Sequence, residues 1–172
     1  MRQLTLTSIG DTARLANWLG QTLPASGIEA LYLYGSLGCG KTTLTHYLVH
    51  ELPGGDMAEV SSPSFTIFHC YPTSPRLIHC DLYRCRENVP EELYELLEEP
   101  GNIAIVEWAE FLPPMYRATQ CLDIHFKACE SGRVLSTEST GDRAKMYLDS
   151  LYAWWQKSHN DGLGPNGWEG QG

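Results

Sequence analysis

The chain has 172 residues, of which 42% are hydrophobic and 19% charged, an ordinary globular composition that excludes an intrinsically disordered chain. Its 21 acidic and 12 basic residues give a net charge of −9, which excludes a broad basic face for nucleic acid and leaves room only for a small local patch. There is no apolar run of 18 residues to cross a membrane and no apolar core of a secretory signal in the first 20 residues, so a single domain in the cytoplasm, with no membrane contact, is expected.

Residues 3–7 alternate and predict a short strand. Ser8 and Asp11 have the spacing of a capping box, in which a hydroxyl and a carboxylate satisfy free helix amides. The helix behind them carries Leu15, Ala16, Leu19 and Leu23 on one face and stops at Pro24. Residues 30–34 predict a buried strand, 35–40 a glycine-rich turn and 41–51 a helix, stopped by Pro53, Gly54 and Gly55. Strands are expected over 64–71 and 76–81, paired as a hairpin, followed by a helix over 89–99 and a buried strand over 102–107. Residues 120–128 and 133–139 read as a second hairpin turning at Ser131 and Gly132, and 142–157 as a closing helix. The alternating patterns predict an α/β fold of three layers, with a mixed, mainly parallel central sheet bearing β-hairpins. One domain is expected over 1–157, with a disordered glycine-rich tail over 158–172.

The sharpest motif is Gly35-Ser36-Leu37-Gly38-Cys39-Gly40-Lys41-Thr42, which matches the P-loop pattern G-x-x-x-x-G-K-[ST]. Glycines let the backbone curl so that successive N–H groups converge on a phosphate, and the helix that follows adds the positive end of its dipole. In this pattern the lysine neutralises the terminal phosphates and the threonine hydroxyl ligates Mg²⁺. An apolar strand precedes the loop and a helix follows it, which distinguishes it from an ordinary glycine turn. Cys39, a thiol within the loop, raises the further expectation that maleimide blocks nucleotide binding and that Mg-ATP protects. The other five cysteines form no C-x-x-C pair, and reduced thiols are expected.

A P-loop needs an acid from a neighbouring strand to complete its cation site. Asp81 and Glu107 each end a predicted buried strand, where open α/β sheets gather their ligands. Lys41, Asp81 and Glu107 are therefore the candidate catalytic side chains, and Thr42, Glu107 and Asp81 the candidate cation ligands. Ser64 and Thr66 read either as hydroxyls of a phosphate-sensing switch or as the polar face of a strand. Tyr83 and Arg84 follow Asp81, and Arg84 reads as a phosphate or partner contact or as a surface ion pair. Trp108 reads as a stacking platform or as core, and His79 as a packed strand residue.

Four segments taken in order, GSLGCGKTT at 35–43, SSPSF at 61–65, HCDLYR at 79–84 and Glu107-Trp108, resemble the TsaE (YjeE) family, the ATPase of bacterial tRNA threonylcarbamoyladenosine synthesis. The resemblance spans about residues 3–155. It implies a P-loop NTPase-like fold that binds ATP or ADP with Mg²⁺ and hydrolyses ATP weakly. It also implies work beside the TsaD and TsaB subunits, with TsaD performing the transfer to adenosine 37 and the ATPase sustaining turnover. Contact with tRNA would be at most indirect, in keeping with the acidic charge. Carried over by position, Gly35, Gly38, Cys39, Gly40, Lys41, Thr42 and Thr43 would bind the nucleotide phosphates. Ile9 and Thr12 would flank the adenine, Thr42 and Glu107 would hold Mg²⁺, and Asp81 would support water or metal. Tyr83, Arg84 and Trp108, with Ser64 and Thr66, would serve switching or partner contact.

The sequence departs from the family pattern at Ser36, where an acid is usual, at Cys39, where alanine is usual, and at Ser64, where threonine is usual. Two other functions use the same loop: a small-molecule kinase, which needs an arginine-rich lid where this chain offers only Arg84 and Arg86, and a nucleotide-gated binding module, which has no use for the two acids.

Overall fold

A computed structural model describes residues 2–56, 58, 66–85 and 89–160 and gathers the predicted strands into one seven-stranded sheet. In chain order the elements are β1 (Arg2–Leu6), α1 (Ile9–Thr22), β2 (Ala30–Tyr34), α2 (Lys41–Glu51), β3 (Phe68–Tyr71), β4 (Leu77–Asp81), α3 (Glu91–Glu98), β5 (Ile103–Glu107), β6 (Cys121–Cys129), β7 (Gly132–Thr140) and α4 (Asp142–Asn160). Short 3₁₀ turns at Leu23–Ala25, Ala109–Phe111 and Pro114–Tyr116 were not expected from the sequence. The sheet order is β1-β7-β6-β2-β5-β4-β3. β2 runs parallel to both β5 and β6, and β4 is parallel to β5. The hairpins β3–β4 and β6–β7 supply antiparallel pairs, and β1 closes the far edge against β7. The fold is thus the mixed, mainly parallel α/β sheet that the sequence predicts.

β2 shows why the sheet needs cover on both faces. Leu31 and Leu33 point into a core shared with α1, α2 and α4. Ala30 and Tyr32 point into a second core shared with α3 and the 3₁₀ turns. A strand apolar on both sides belongs in the middle of such a stack, because each face removes its side chains from water. The exit of β2 is also pinned by polar contacts. Tyr34 donates its hydroxyl to Asp123 at 2.7 Å and accepts from Arg117 at 2.7 Å, while Arg117 also pairs with Asp123. Those bonds fix the strand one residue before the glycine-rich turn.

The capping box forms as predicted. Ser8 accepts from the Asp11 amide at 3.1 Å, and the Asp11 carboxylate accepts from the Thr7 and Ser8 amides and the Thr7 hydroxyl. Burial alone would raise the Asp11 carboxyl, but the hydrogen bonds from Thr7 and Ser8 outweigh it and hold the group below its ordinary value. A depressed carboxyl stabilises the fold above its unfolded pKa, and that contribution fades as the pH falls through the folded value. Asp11→Asn is therefore expected to cost about 1 kcal/mol at neutral pH. The gap from the wild type should narrow as urea unfolding is repeated towards about pH 2.

Some boundaries move. The first strand of the β3–β4 hairpin begins at Phe68 rather than at 64, because Ile67 adopts a φ of 71° and its carbonyl instead accepts from the Asp81 amide at 2.9 Å. α4 continues through Asn160, three residues past the expected end. The segment 59–65 with Ser64, the residue Arg86 and the tail from 161 lie outside the described residues.

Candidate phosphate and cation site

The loop between β2 and α2 carries three glycines of positive φ, Gly35, Gly38 and Gly40, and the first and last of them set its ends. Gly40 has a φ of 111° at the N-cap of α2, so the chain enters the helix with its first amides free of side-chain caps. Gly35 has a φ of 135°, and a Cβ there would lie 2.6 Å from the Phe126 carbonyl oxygen and 2.9 Å from Cys39 Sγ. Only glycine fits such a position, where backbone passes close to backbone.

Lys41 is 4% exposed and folds back into the loop. Its ammonium donates to the Gly35 carbonyl at 2.8 Å and the Ser36 carbonyl at 3.1 Å, and sits 4.1 Å from the centre of the Trp108 ring. Trp108 leaves β5 with a φ of 58° and a ψ of 45°, a left-handed conformation costing on the order of 1–2 kcal/mol that brings its indole over this lysine. Tyr83 packs on the same indole at 4.7 Å.

The acids arrive by strand register. Leu33 of β2 pairs with Glu107 of β5, and Glu107 pairs with Asp81 of β4, so both carboxylates lie beside the loop at the same end of the sheet. Glu107 Oε2 accepts from the Thr42 hydroxyl at 2.8 Å, and Glu107 Oε1 lies 2.9 Å from His79 Nε2. A carboxylate oxygen can only accept, so His79 carries its proton on Nε2 and donates it to Glu107. Its Nδ1 has no hydrogen-bond partner among the described residues. Asp81 accepts from the Tyr83 amide at 3.0 Å. Cys80 between them turns to the opposite core, where burial pushes its thiol up and keeps it protonated.

Two clefts flank the loop. The first, of about 360 Å³, is lined by Gly38, Gly40, Lys41, Thr42, Thr43, Asp81, Tyr83, Arg84, Glu107 and Trp108, together with Leu37. The second, of about 230 Å³, lies between the loop and the start of α1 and includes Ile9, Thr12, Gly38, Gly40, Thr43 and Arg133. In the first cleft Thr42, Asp81 and Glu107 offer a hydroxyl and two carboxylates, hard oxygen donors that suit Mg²⁺ and leave coordination positions for ligand phosphates. A Cβ built on Gly38 would touch nothing within 4 Å, so the loop backbone there is open to a ligand.

Three predicted site residues stand elsewhere. Gly35 lines neither cleft; its carbonyl is taken by Lys41. Cys39 is 2% exposed and packs beneath the loop, so the maleimide reaction expected of it is closed off by burial in the folded chain. Thr66 bonds to His69 at 2.7 Å and lines neither cleft. Sequence reasoning also missed Arg133, whose Nε donates to the Cys39 carbonyl at 2.8 Å and ties β7 to the loop.

The family profile described as "Threonylcarbamoyl adenosine biosynthesis protein TsaE" matches residues 6–135. The chain belongs to the TsaE family. Among its relatives, the tRNA threonylcarbamoyladenosine biosynthesis protein TsaE of Rickettsia bellii is 33% identical over 137 residues, covering 77% of this chain and 91% of the relative. The protein of the same name from Aquifex aeolicus is 39% identical over 111 residues, covering 64% of this chain and 78% of the relative. The crystal structure of YdiB from Bacillus subtilis superposes with a TM-score of 0.64 at 27% identity, covering 89% of this chain and 96% of that one. This TsaE-family chain therefore falls within tRNA threonylcarbamoyladenosine biosynthesis and has a P-loop NTPase-like fold.

Proposed function

We propose that this chain binds ATP or ADP with Mg²⁺ and hydrolyses ATP slowly. Subunits of the TsaD and TsaB type would raise that rate and use it to sustain repeated rounds of threonylcarbamoyl transfer to tRNA. The observation that carries the reading is the Thr42 hydroxyl held on Glu107 at 2.8 Å, beside a glycine-opened helix N-terminus and a lysine. Loop amides from Gly38 to Thr43 would cradle the phosphates. Thr42 and Glu107 would hold the cation, with Asp81 supporting it or the attacking water. When bound, Mg²⁺ supplies neutralisation of the charge that develops on the phosphate oxygens. Ile9 and Thr12 border the second cleft, where an adenine would be taken up. With a net charge of −9, the chain would leave tRNA to its partners.

The cytoplasm, where tRNA is modified, is the compartment this reading requires, and no described helix is long and apolar enough to cross a membrane. The test is tRNA modification reconstituted from purified subunits over many cycles, with and without this chain, alongside calorimetry with Mg-ATP. Modification should stall after about one round without the chain. Hydrolysis should rise when partners are added, and Lys41→Ala should weaken nucleotide binding about 10–100-fold. No heat from Mg-ATP with the folded wild type would end the proposal.

A further inference from the structure

His79 is 0% exposed, lies on β4 two residues before Asp81, and has a carboxylate as its hydrogen-bond partner. A polar ring in that position is costly. It occupies the face of β4 that also carries Leu77 into the main core, and its Nδ1 is buried without a partner among the described residues. An unsatisfied buried nitrogen loses its hydration with nothing in return. An aliphatic side chain would fill the same space without that loss, so packing alone does not account for histidine here. What histidine adds is the Nε2–H bond of 2.9 Å to Glu107 Oε1.

Glu107 has two oxygens and two partners. One oxygen is held by His79 from inside the core and the other meets Thr42 at the mouth of the cleft. A hydrogen bond on one oxygen opposes rotation of the carboxylate about its terminal bond, so the other oxygen keeps its aim. We propose that His79 is a positioning residue: its bond to Glu107 fixes the carboxylate so that Oε2 faces Thr42 and is ready for a divalent cation. The inference rests on the Mg-ATP reading above and adds to it the side chain that orders the cation ligand. Groups that orient a metal-binding carboxylate from behind commonly change metal affinity about 10–100-fold when removed.

The experiment titrates Mg²⁺ against ADP binding by calorimetry in the wild type, His79→Leu, His79→Asn and His79→Gln. Gln places an amide N–H near the Nε2 position, whereas Asn is too short and Leu has no donor. Leu and Asn are expected to raise the Mg²⁺ concentration for half-effect about 10–100-fold, with ADP affinity in the absence of Mg²⁺ unchanged, and Gln to restore most of the loss. A purely structural role would instead lower thermal stability and leave the Mg²⁺ dependence alone. Folded Leu and Asn variants with wild-type Mg²⁺ dependence would overturn the inference while leaving the Mg-ATP reading intact. If ADP binding by the wild type shows no Mg²⁺ dependence, both fall.

Should the Leu and Asn variants fail to fold, the wild type still decides the matter through its ¹⁵N-histidine NMR spectrum. There His79 Nε2 should carry the proton and change shift when Mg²⁺ and ADP are added together. A proton on Nδ1, or no response to the cation, would refute the assignment.

Discussion

Replacing Glu107 with alanine is expected to lower ATP hydrolysis at least about 100-fold while weakening nucleotide binding less than about tenfold. The two effects would separate because, on the proposed reading, the loop amides and Lys41 bind phosphate without help from Glu107, whereas the Thr42 hydroxyl would lose the carboxylate that it meets at 2.8 Å. The substitution has a second consequence inside the core. His79 would lose its bond to Glu107 and leave a fully buried ring with neither nitrogen satisfied, at a cost of about 1–3 kcal/mol. Glu107→Gln keeps the shape and an oxygen acceptor while removing the charge, so comparing the two variants divides the loss between fold and chemistry. Single-turnover hydrolysis and calorimetry on both proteins make the check, and normal hydrolysis by the alanine variant would remove Glu107 from the cation site.

Gly35→Ala is expected to destabilise the fold by about 2–4 kcal/mol, lowering the melting temperature by roughly 4–16 °C and abolishing tight nucleotide binding. At a φ of 135° an alanine is strained wherever it is placed, and here its methyl would also meet the Phe126 carbonyl oxygen at 2.6 Å. That oxygen belongs to the backbone of β6, next to β2 in the sheet, so it cannot swing aside like a flexible side chain. Relief would come only by moving the loop, and the Gly35 carbonyl is one of the two that hold Lys41. Gly38→Ala is the control, since its Cβ would meet nothing within 4 Å, and although its φ of 73° carries some strain it should cost less. Thermal unfolding of the pair makes the comparison.

Much of this arrangement was legible in the residues themselves. β2 and α2 begin and end where expected because glycines and a proline bracket them, and such residues act locally. The capping box was legible for the same reason, since both of its partners sit within four residues. Asp81 and Glu107 could be picked out because each ends an apolar strand. The other features depend on residues far apart in the chain. That His79 meets Glu107 follows from β4 and β5 being neighbours in parallel register, 28 residues apart, and no periodicity reveals a register. Arg133 reaches Cys39 across 94 residues. The burial of Cys39 was missed because a loop position suggests exposure, whereas this loop folds over its own thiol. The early start assigned to β3 failed at Ile67, whose left-handed backbone contradicts the β-branched residue's own preference and so leaves no sequence signal.

Lys41 enters any encounter already occupied, with two carbonyls and an indole around its ammonium. An incoming anion must outcompete those contacts before it gains the lysine's charge. On the proposed reading a single phosphate would offer little in exchange, whereas a di- or triphosphate would meet the loop amides as well and could draw the ammonium across. If the proposed nucleotide binding holds, the occupied lysine would make the loop favour longer phosphate chains over inorganic phosphate and nucleoside monophosphates.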